Sequence, residues 1–175
     1  MPWTVSYAPP SEPALLDRYL LVCGRTMCLA ASLESKLDHC IRVLRIKAAV
    51  DSGVKGQALD TIARSPKMLK SVMIGEALDE LKNRGVVNAE QLAVLDAGRV
   101  SRNHMAHVAT ALNAVYALPR VALESKLANL RPHVLNLAMA DNLVSAWVYT
   151  IESSDNPPAA LSEDYVALAE AWVLG

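Results

Sequence analysis

Residues 13–46, PALLDRYLLVCGRTMCLAASLESKLDHCIRVLRI, decide the fold class. Apolar side chains recur along this stretch at steps of three and four residues, which is the spacing of one face of an α-helix. The positions are Leu16, Leu20, Cys23, Met27, Ala30, Leu33, Leu37, Cys40 and Leu44. Ser11-Glu12-Pro13 precedes them and predicts the start, because serine can cap a first helical turn and proline is tolerated there. The sequence predicts one long amphipathic helix that ends near Ile46.

The composition of the whole chain favours the same class. Hydrophobic residues make up 53% of it, with Leu, Ala and Val dominant and no Phe. Ala and Leu are strong helix formers, whereas aromatic residues favour strands. Only seven glycines are present, which leaves little material for tight hairpins. We therefore predict an all-α protein.

Capping signals divide the first half of the remaining chain. Residues 47–64, which contain two glycines, are predicted to form a loop with a helical turn. Ser65-Pro66 predicts the start of a second helix, and Asn83-Arg84-Gly85 predicts its end through a glycine C-cap. Asn88-Ala89-Glu90-Gln91 forms a capping box, so a third helix is expected from there to about Leu118.

The last third of the chain predicts two more helices. One runs from about Arg120 to Ile151 and contains Pro132, where a kink is expected. Residues 152–158 are polar and proline-containing, as in a linker, and residues 159–175 hold a short helix capped by Ser162. Four long helices with short connections favour an antiparallel four-helix bundle with a short extra C-terminal helix. We expect a single domain over residues 1–175, with its core at about residues 12–151.

Charge and hydropathy limit the function classes. The net charge of −1 argues against broad electrostatic attraction to nucleic acid but not against a local basic surface. The densest basic stretch holds Arg42, Arg45, Lys47, Lys55, Arg64, Lys67 and Lys70. It fits either a solvated helix end and loop or an RNA contact surface. No run of 18 apolar residues occurs and the first residues lack a signal-peptide pattern, so a cytoplasmic protein outside the membrane is expected. Cys23, Cys28 and Cys40 are expected to be reduced core thiols.

The helix predicted from Asn88 carries the residues with chemical interest. One stripe of it is apolar or small and is expected to face the core: Val94, Gly98, Ser101, Met105, Val108, Leu112 and Val115. The opposite side carries Asp96, Arg99, Asn103, His107 and Thr110. Asn103 and His107 lie one turn apart, so the amide can orient the imidazole. Arg102 lies on the flank, with a side chain long enough to reach the same surface.

A cation, an amide and a titratable ring suit RNA cleavage by transesterification. Attack of a 2′-hydroxyl on the adjacent phosphorus requires proton transfer near neutral pH, where histidine works. Negative charge grows on the phosphate oxygens, and a guanidinium can stabilise it with paired hydrogen bonds. The set Arg102, Asn103 and His107 is therefore a candidate catalytic site that uses no metal.

Residues 102–107, Arg-Asn-His-Met-Ala-His, resemble the signature of HEPN-family proteins, an Arg separated by four to six residues from a His and followed by a polar residue. The resemblance implies a helical bundle that dimerises and brings two such motifs into one cleft that cuts RNA without metal. It implies that Arg102 binds phosphate, Asn103 orients and His107 acts as acid and base. Toxin-type members have an antitoxin or regulatory partner. Some carry Tyr two residues after the His, where this chain has Ala109.

Other interpretations of the same helix remain open. His104 and His107 are three residues apart and could bind a metal together, although carboxylate partners are poorly placed and His104 better fits a packed histidine. No Glu is followed three residues later by His, which excludes a di-iron bundle, and no motif for a cofactor occurs. The main rival is a non-catalytic dimeric interaction or regulatory protein. The small residues Ala106 and Thr110 would let another chain approach in either case.

Overall fold

The computed structural model describes residues 10–65, 73–110, 115–116, 118–153 and 164–175. Six helices lie within these ranges: α1 Pro13–Asp51, α2 Gln57–Ala63, α3 Ile74–Asn83, α4 Ala89–Thr110, α5 Arg120–Ser153 and α6 Asp164–Leu174. No strand occurs in these parts of the chain. The prediction of an all-α fold is confirmed.

The first helix begins at Pro13 as predicted, but its cap and its C-terminal end differ from the prediction. Its N-cap is Glu12, and no side chain caps it. Ser11 instead donates its hydroxyl hydrogen to the Leu118 carbonyl at 3.0 Å, so the predicted serine cap was wrong. The helix continues past Ile46 to Asp51, because no glycine or proline lies between Ile46 and Gly53, where φ is +84°.

The predicted second helix was wrong at its start and right at its end. Met73 is extended, with φ −68° and ψ 150°, so no single helix runs from Ser65 to Asn83; residues 66–72 lie outside the described ranges. The backbone N–H groups of Gly85 and Val86 donate to the carbonyls of Lys82 and Leu81 at 3.0 and 3.1 Å. With Gly85 at φ +64°, this is the glycine-dependent C-terminal motif that the sequence predicted.

The capping box of α4 is confirmed. The Gln91 N–H donates to Asn88 Oδ1 at 2.8 Å, and the Asn88 N–H donates to Gln91 Oε1 at 3.1 Å. The helix does not reach Leu118 as predicted, because the Leu118 N–H donates to the Val115 carbonyl in a turn.

The two C-terminal helices occur where the sequence placed them. Helix α5 runs through Pro132 and ends at Ser153, so the predicted linker begins inside it. The expected kink at Pro132 stays a prediction. Helix α6 begins at Asp164, and the predicted Ser162 cap lies outside the described residues.

Contacts between helices give their relative directions. Ser11, just before α1, bonds to Leu118, which follows α4. Glu34, in the middle of α1, bonds to Arg102 of α4. Because the partner number falls as the number along α1 rises, α1 and α4 are antiparallel. Helices α4 and α5 are also antiparallel, because Gly98 faces Ala140 whereas Ser101 faces His133. Helices α1 and α5, which pack against each other, therefore run in the same direction, so the antiparallel arrangement that the sequence predicted is wrong for this pair.

The core lies between α1, α4 and α5, and α3 adds its own buried face to it. Its largest fully buried side chains are Tyr19, Val22, Leu33, Leu37, Ile41, Leu81, Leu95, Met105, Leu123, Leu130, Val134 and Leu137. Cys23 and Cys40 are buried free thiols as predicted, whereas Cys28 is exposed and not a core thiol. Among the helices described, none combines the length and the apolar character that crossing a membrane requires.

Candidate functional site on helix α4

Helix α4 is held closely between two others at Gly98. A Cβ atom built on Gly98 would lie 2.6 Å from Ala140 Cβ on α5 and 3.3 Å from Leu33 Cδ2 on α1. Such a distance to Ala140 is shorter than real Cβ contacts, so only glycine fits here at this spacing. Close packing at Gly98 thus fixes the part of α4 that lies one turn before the candidate site.

One turn later, Ser101 links α4 to α5 by hydrogen bonds within the core. The side chain is fully buried. Asn136 Nδ2 donates to the Ser101 oxygen at 3.1 Å, and His133 Nδ1 lies 3.2 Å from the same oxygen. The amide nitrogen of Asn136 donates to the Ser101 oxygen, and the contact of that oxygen with His133 Nδ1 completes a polar link between α4 and α5.

His104 of α4 packs against His133, the histidine of this network. Its ring stacks on His133, with centroids 3.9 Å apart and planes inclined by 16°. Burial lowers the pKa of His133, and the neighbouring His104 lowers it further, because two protonated rings would repel each other. His104 is exposed yet engaged with another ring, which agrees with a packing role.

Arg102 is directed toward α1 and not toward the outer surface of α4. Its Nε donates to Glu34 Oε1 at 2.6 Å. The two side chains are 36% and 37% exposed, so the pair lies at the protein surface. The sequence placed Arg102 on the flank of the helix but could not show this acceptor, which stands 68 residues earlier in the chain.

Asn103 and His107 occupy the outer face of α4. Both are exposed, and they lie one turn apart as predicted. Val100, also on this face, is 50% exposed. Because a helix turns roughly 100° per residue, Arg102 and His107 point about 140° apart. One chain therefore brings Asn103 and His107 to a common face but does not bring Arg102 to it.

The basic stretch that began at Arg42 is partly neutralised. Arg45 bonds both carboxylate oxygens of Glu80, at 2.6 Å for the shortest contact, and Arg42 pairs with Asp38 at 2.7 Å. The hydrogen bond to Glu80 raises the pKa of Arg45. Arg42 and Arg45 therefore have structural partners within the chain, and contact of the stretch with RNA stays a prediction.

A second polar cluster joins α1, α5 and α6. Asp141 is fully buried, and its Oδ2 accepts hydrogen bonds from Lys36 Nζ at 2.7 Å and from the Tyr165 hydroxyl. Lys36 Nζ also donates to Ser145 Oγ at 2.8 Å. Burial, and then the bond to Asp141, raise the pKa of Tyr165. A buried charge is tolerated when it is paired in this way, so the cluster attaches α6 to the core.

Metal binding gains no support from the geometry. Within the ranges described, no group of three or more His, Cys, Asp or Glu side chains is placed to hold a metal ion.

Glu34 and His133 were not predicted from the sequence as neighbours of the motif. Spacing along one helix carries no information on which residues of other helices will face it.

No protein-family model, no characterised protein and no solved structure matches this chain.

Proposed function

We propose that this chain is a HEPN-like, homodimeric endoribonuclease that cleaves RNA without a metal ion. The observation that supports the proposal most is that Asn103 and His107 are exposed together on the outer face of α4. The same helix is held tightly against its neighbours at Gly98. The proposal keeps the four-helix bundle of the sequence prediction, with α1, α3, α4 and α5 as members and α6 as the extra helix.

The chemistry requires one proton transfer group and one cation at the scissile phosphate. His107 takes the proton of the 2′-hydroxyl, whose oxygen bonds to phosphorus while the bond to the 5′-oxygen breaks. His107 then acts as the acid and gives the proton it has taken up to that leaving oxygen, and the products are a 2′,3′-cyclic phosphate and a 5′-hydroxyl. Arg102 stabilises the charge on the non-bridging oxygens, and Asn103 orients the imidazole.

A second copy of the chain would place its Arg102 near the His107 of the first copy. Arg102 and His107 diverge around α4, so a composite site forms when two α4 helices meet about a two-fold axis. The half-exposed Val100 is available on this face as an apolar contact. An antitoxin or other regulatory protein that covers the face would inhibit the enzyme.

The alternative is a non-catalytic dimeric interaction protein of the same fold. It is favoured by the ion pair of Arg102 with Glu34, because an arginine paired within its own chain also suits a structural role. In that case the outer face of α4 binds a partner helix and performs no chemistry.

Incubation of the purified protein with total RNA tests the proposal. We expect cleavage that persists in EDTA and leaves 2′,3′-cyclic phosphate ends. His107→Ala should lower the rate by about 100- to 10,000-fold, because the proton transfer group is lost. His104→Ala is the matched control, a histidine on the same helix that stacks on His133.

Light scattering completes the test, and a mass above the 18.9 kDa of one chain is expected. Cleavage that survives in His107→Ala, or that is lost on chelation, would contradict the assigned site. A folded dimer that cleaves no RNA would favour the interaction protein.

A further inference from the structure

The ion pair between Arg102 and Glu34 joins the candidate site to a helix outside the motif. The bond runs from Nε of Arg102 on α4 to Oε1 of Glu34 on α1, at 2.6 Å. Each side chain is more than a third exposed. Surface pairs of this kind add little to folding stability, because water screens the charges and two long side chains lose freedom.

Core packing, rather than the ion pair itself, brings the two residues together. Leu33, next to Glu34, is fully buried and contacts the Gly98 position. Gly98 lies one turn before Arg102, so the contact fixes the register of α1 against α4 at this level. Glu34 is therefore presented to Arg102 by a rigid part of the fold.

The atom used in the bond matters for phosphate recognition. A guanidinium binds phosphate best through its planar, forked N–H groups, and its terminal Nη atoms carry most of these donors. Glu34 contacts Nε, the nitrogen nearest the helix. An acceptor at that position restricts rotation of the group while the terminal nitrogens extend beyond it.

We infer that Glu34 is a positioning residue, which holds Arg102 through Nε so that its Nη groups meet the scissile phosphate. The inference rests on the proposed function. It gives a specific expectation for two substitutions, since Gln keeps an acceptor oxygen and Ala does not. A carboxylate that merely competed with phosphate would give the opposite result, with both substitutions strengthening RNA binding.

Steady-state kinetics with a cleavable RNA compare Glu34→Ala, Glu34→Gln and Arg102→Ala. We expect Glu34→Ala to lower kcat about 10- to 100-fold with less change in KM, and Glu34→Gln to stay within about threefold of the parent. Glu170→Ala is the matched control, because Glu170 Oε1 accepts from Arg131 Nε at 2.5 Å between α5 and α6. It removes the same kind of interhelical bond away from the motif.

Two measurements without cleavage keep the inference separate from the proposed function. The Arg102 Nε–H resonance, assigned by its loss in Arg102→Ala, should be protected from exchange in the parent and in Glu34→Gln but not in Glu34→Ala. Affinity for a 2′-O-methyl oligoribonucleotide should fall in Glu34→Ala by less than kcat does, and should match the parent in Glu34→Gln.

Parent protein that cleaves no RNA would refute the ribonuclease, while these two measurements would still decide the role of Glu34. An unprotected Nε–H in the parent would overturn the positioning role. So would Glu34→Ala at parental activity, or stronger oligoribonucleotide binding by both Glu34 variants.

Discussion

Adding one methyl group at Gly98 should push α4 away from α5. The new Cβ would lie 2.6 Å from Ala140 Cβ, well inside the 3.4–4 Å of ordinary contact. Ala140 is fully buried and has no rotatable side chain, so the helices themselves must move apart. Overpacking of this kind costs about 1–3 kcal/mol, and the upper part of that range applies because no flexible group can yield.

Helix propensity opposes part of this cost. Alanine is favoured over glycine inside a helix by about 1 kcal/mol, so the net destabilisation by Gly98→Ala should be about 2 kcal/mol. For a chain of this size, that lowers Tm by roughly 4–8 °C. Urea denaturation followed by circular dichroism measures the free energy of unfolding directly.

Gly24 provides the matched control, because it also lies within a helix but a Cβ built there meets nothing within 4 Å. Gly24→Ala should therefore stabilise the protein by up to about 1 kcal/mol. The double substitution Gly98→Ala, Ala140→Gly should recover part of the loss by restoring space. Gly98→Ala at or above parental stability, or no recovery in the double variant, would refute the close approach of α4 and α5.

Two further predictions concern titration and the attachment of α6. Since the pKa of His133 is lowered in the folded protein, the unfolded chain binds more protons, and the free energy of unfolding should fall as pH drops below about 6.5. Urea denaturation at pH 7.5 and 5.5 measures the fall, which should be smaller in His104→Ala; equal stability at both pH values in the parent would contradict it. Tyr165→Phe removes a hydrogen bond to the buried Asp141 carboxylate and should cost about 1.5–3 kcal/mol. Hydrogen exchange should then increase along α6, and unchanged protection there would contradict the role of this bond.

The sequence predicted features that depend on neighbouring residues. The capping box at Asn88 and the glycine end at Gly85 were correct because each is completed within a few residues of backbone. The buried and exposed faces of α4 were also predictable, because helical periodicity alone defines them. Leu95 was missed as a core residue, because α4 is covered on two sides and its buried surface is wider than a single stripe.

Features that depend on distant contacts were not predictable from spacing. Ser11 looked like a helix cap, but its hydroxyl is used by the turn at Leu118. Arg102 was placed correctly on its helix, yet the acceptor on α1 decides where its guanidinium lies. The partner of His104 was equally hidden, because it depends on the register between α4 and α5.

The dependence of Asp141 on α6 has a consequence for synthesis of the chain. Helix α5, which carries Asp141, leaves the ribosome before Tyr165 does, since translation proceeds from the N-terminus. Until α6 arrives, the carboxylate has Lys36 as its charged partner and lacks the tyrosine hydroxyl. A nascent chain stalled before residue 164 would therefore leave the Asp141 carboxylate with one hydrogen-bond donor fewer and without the cover of α6. We expect such a product to be recognised by chaperones and degraded, so that a stable protein requires translation through α6.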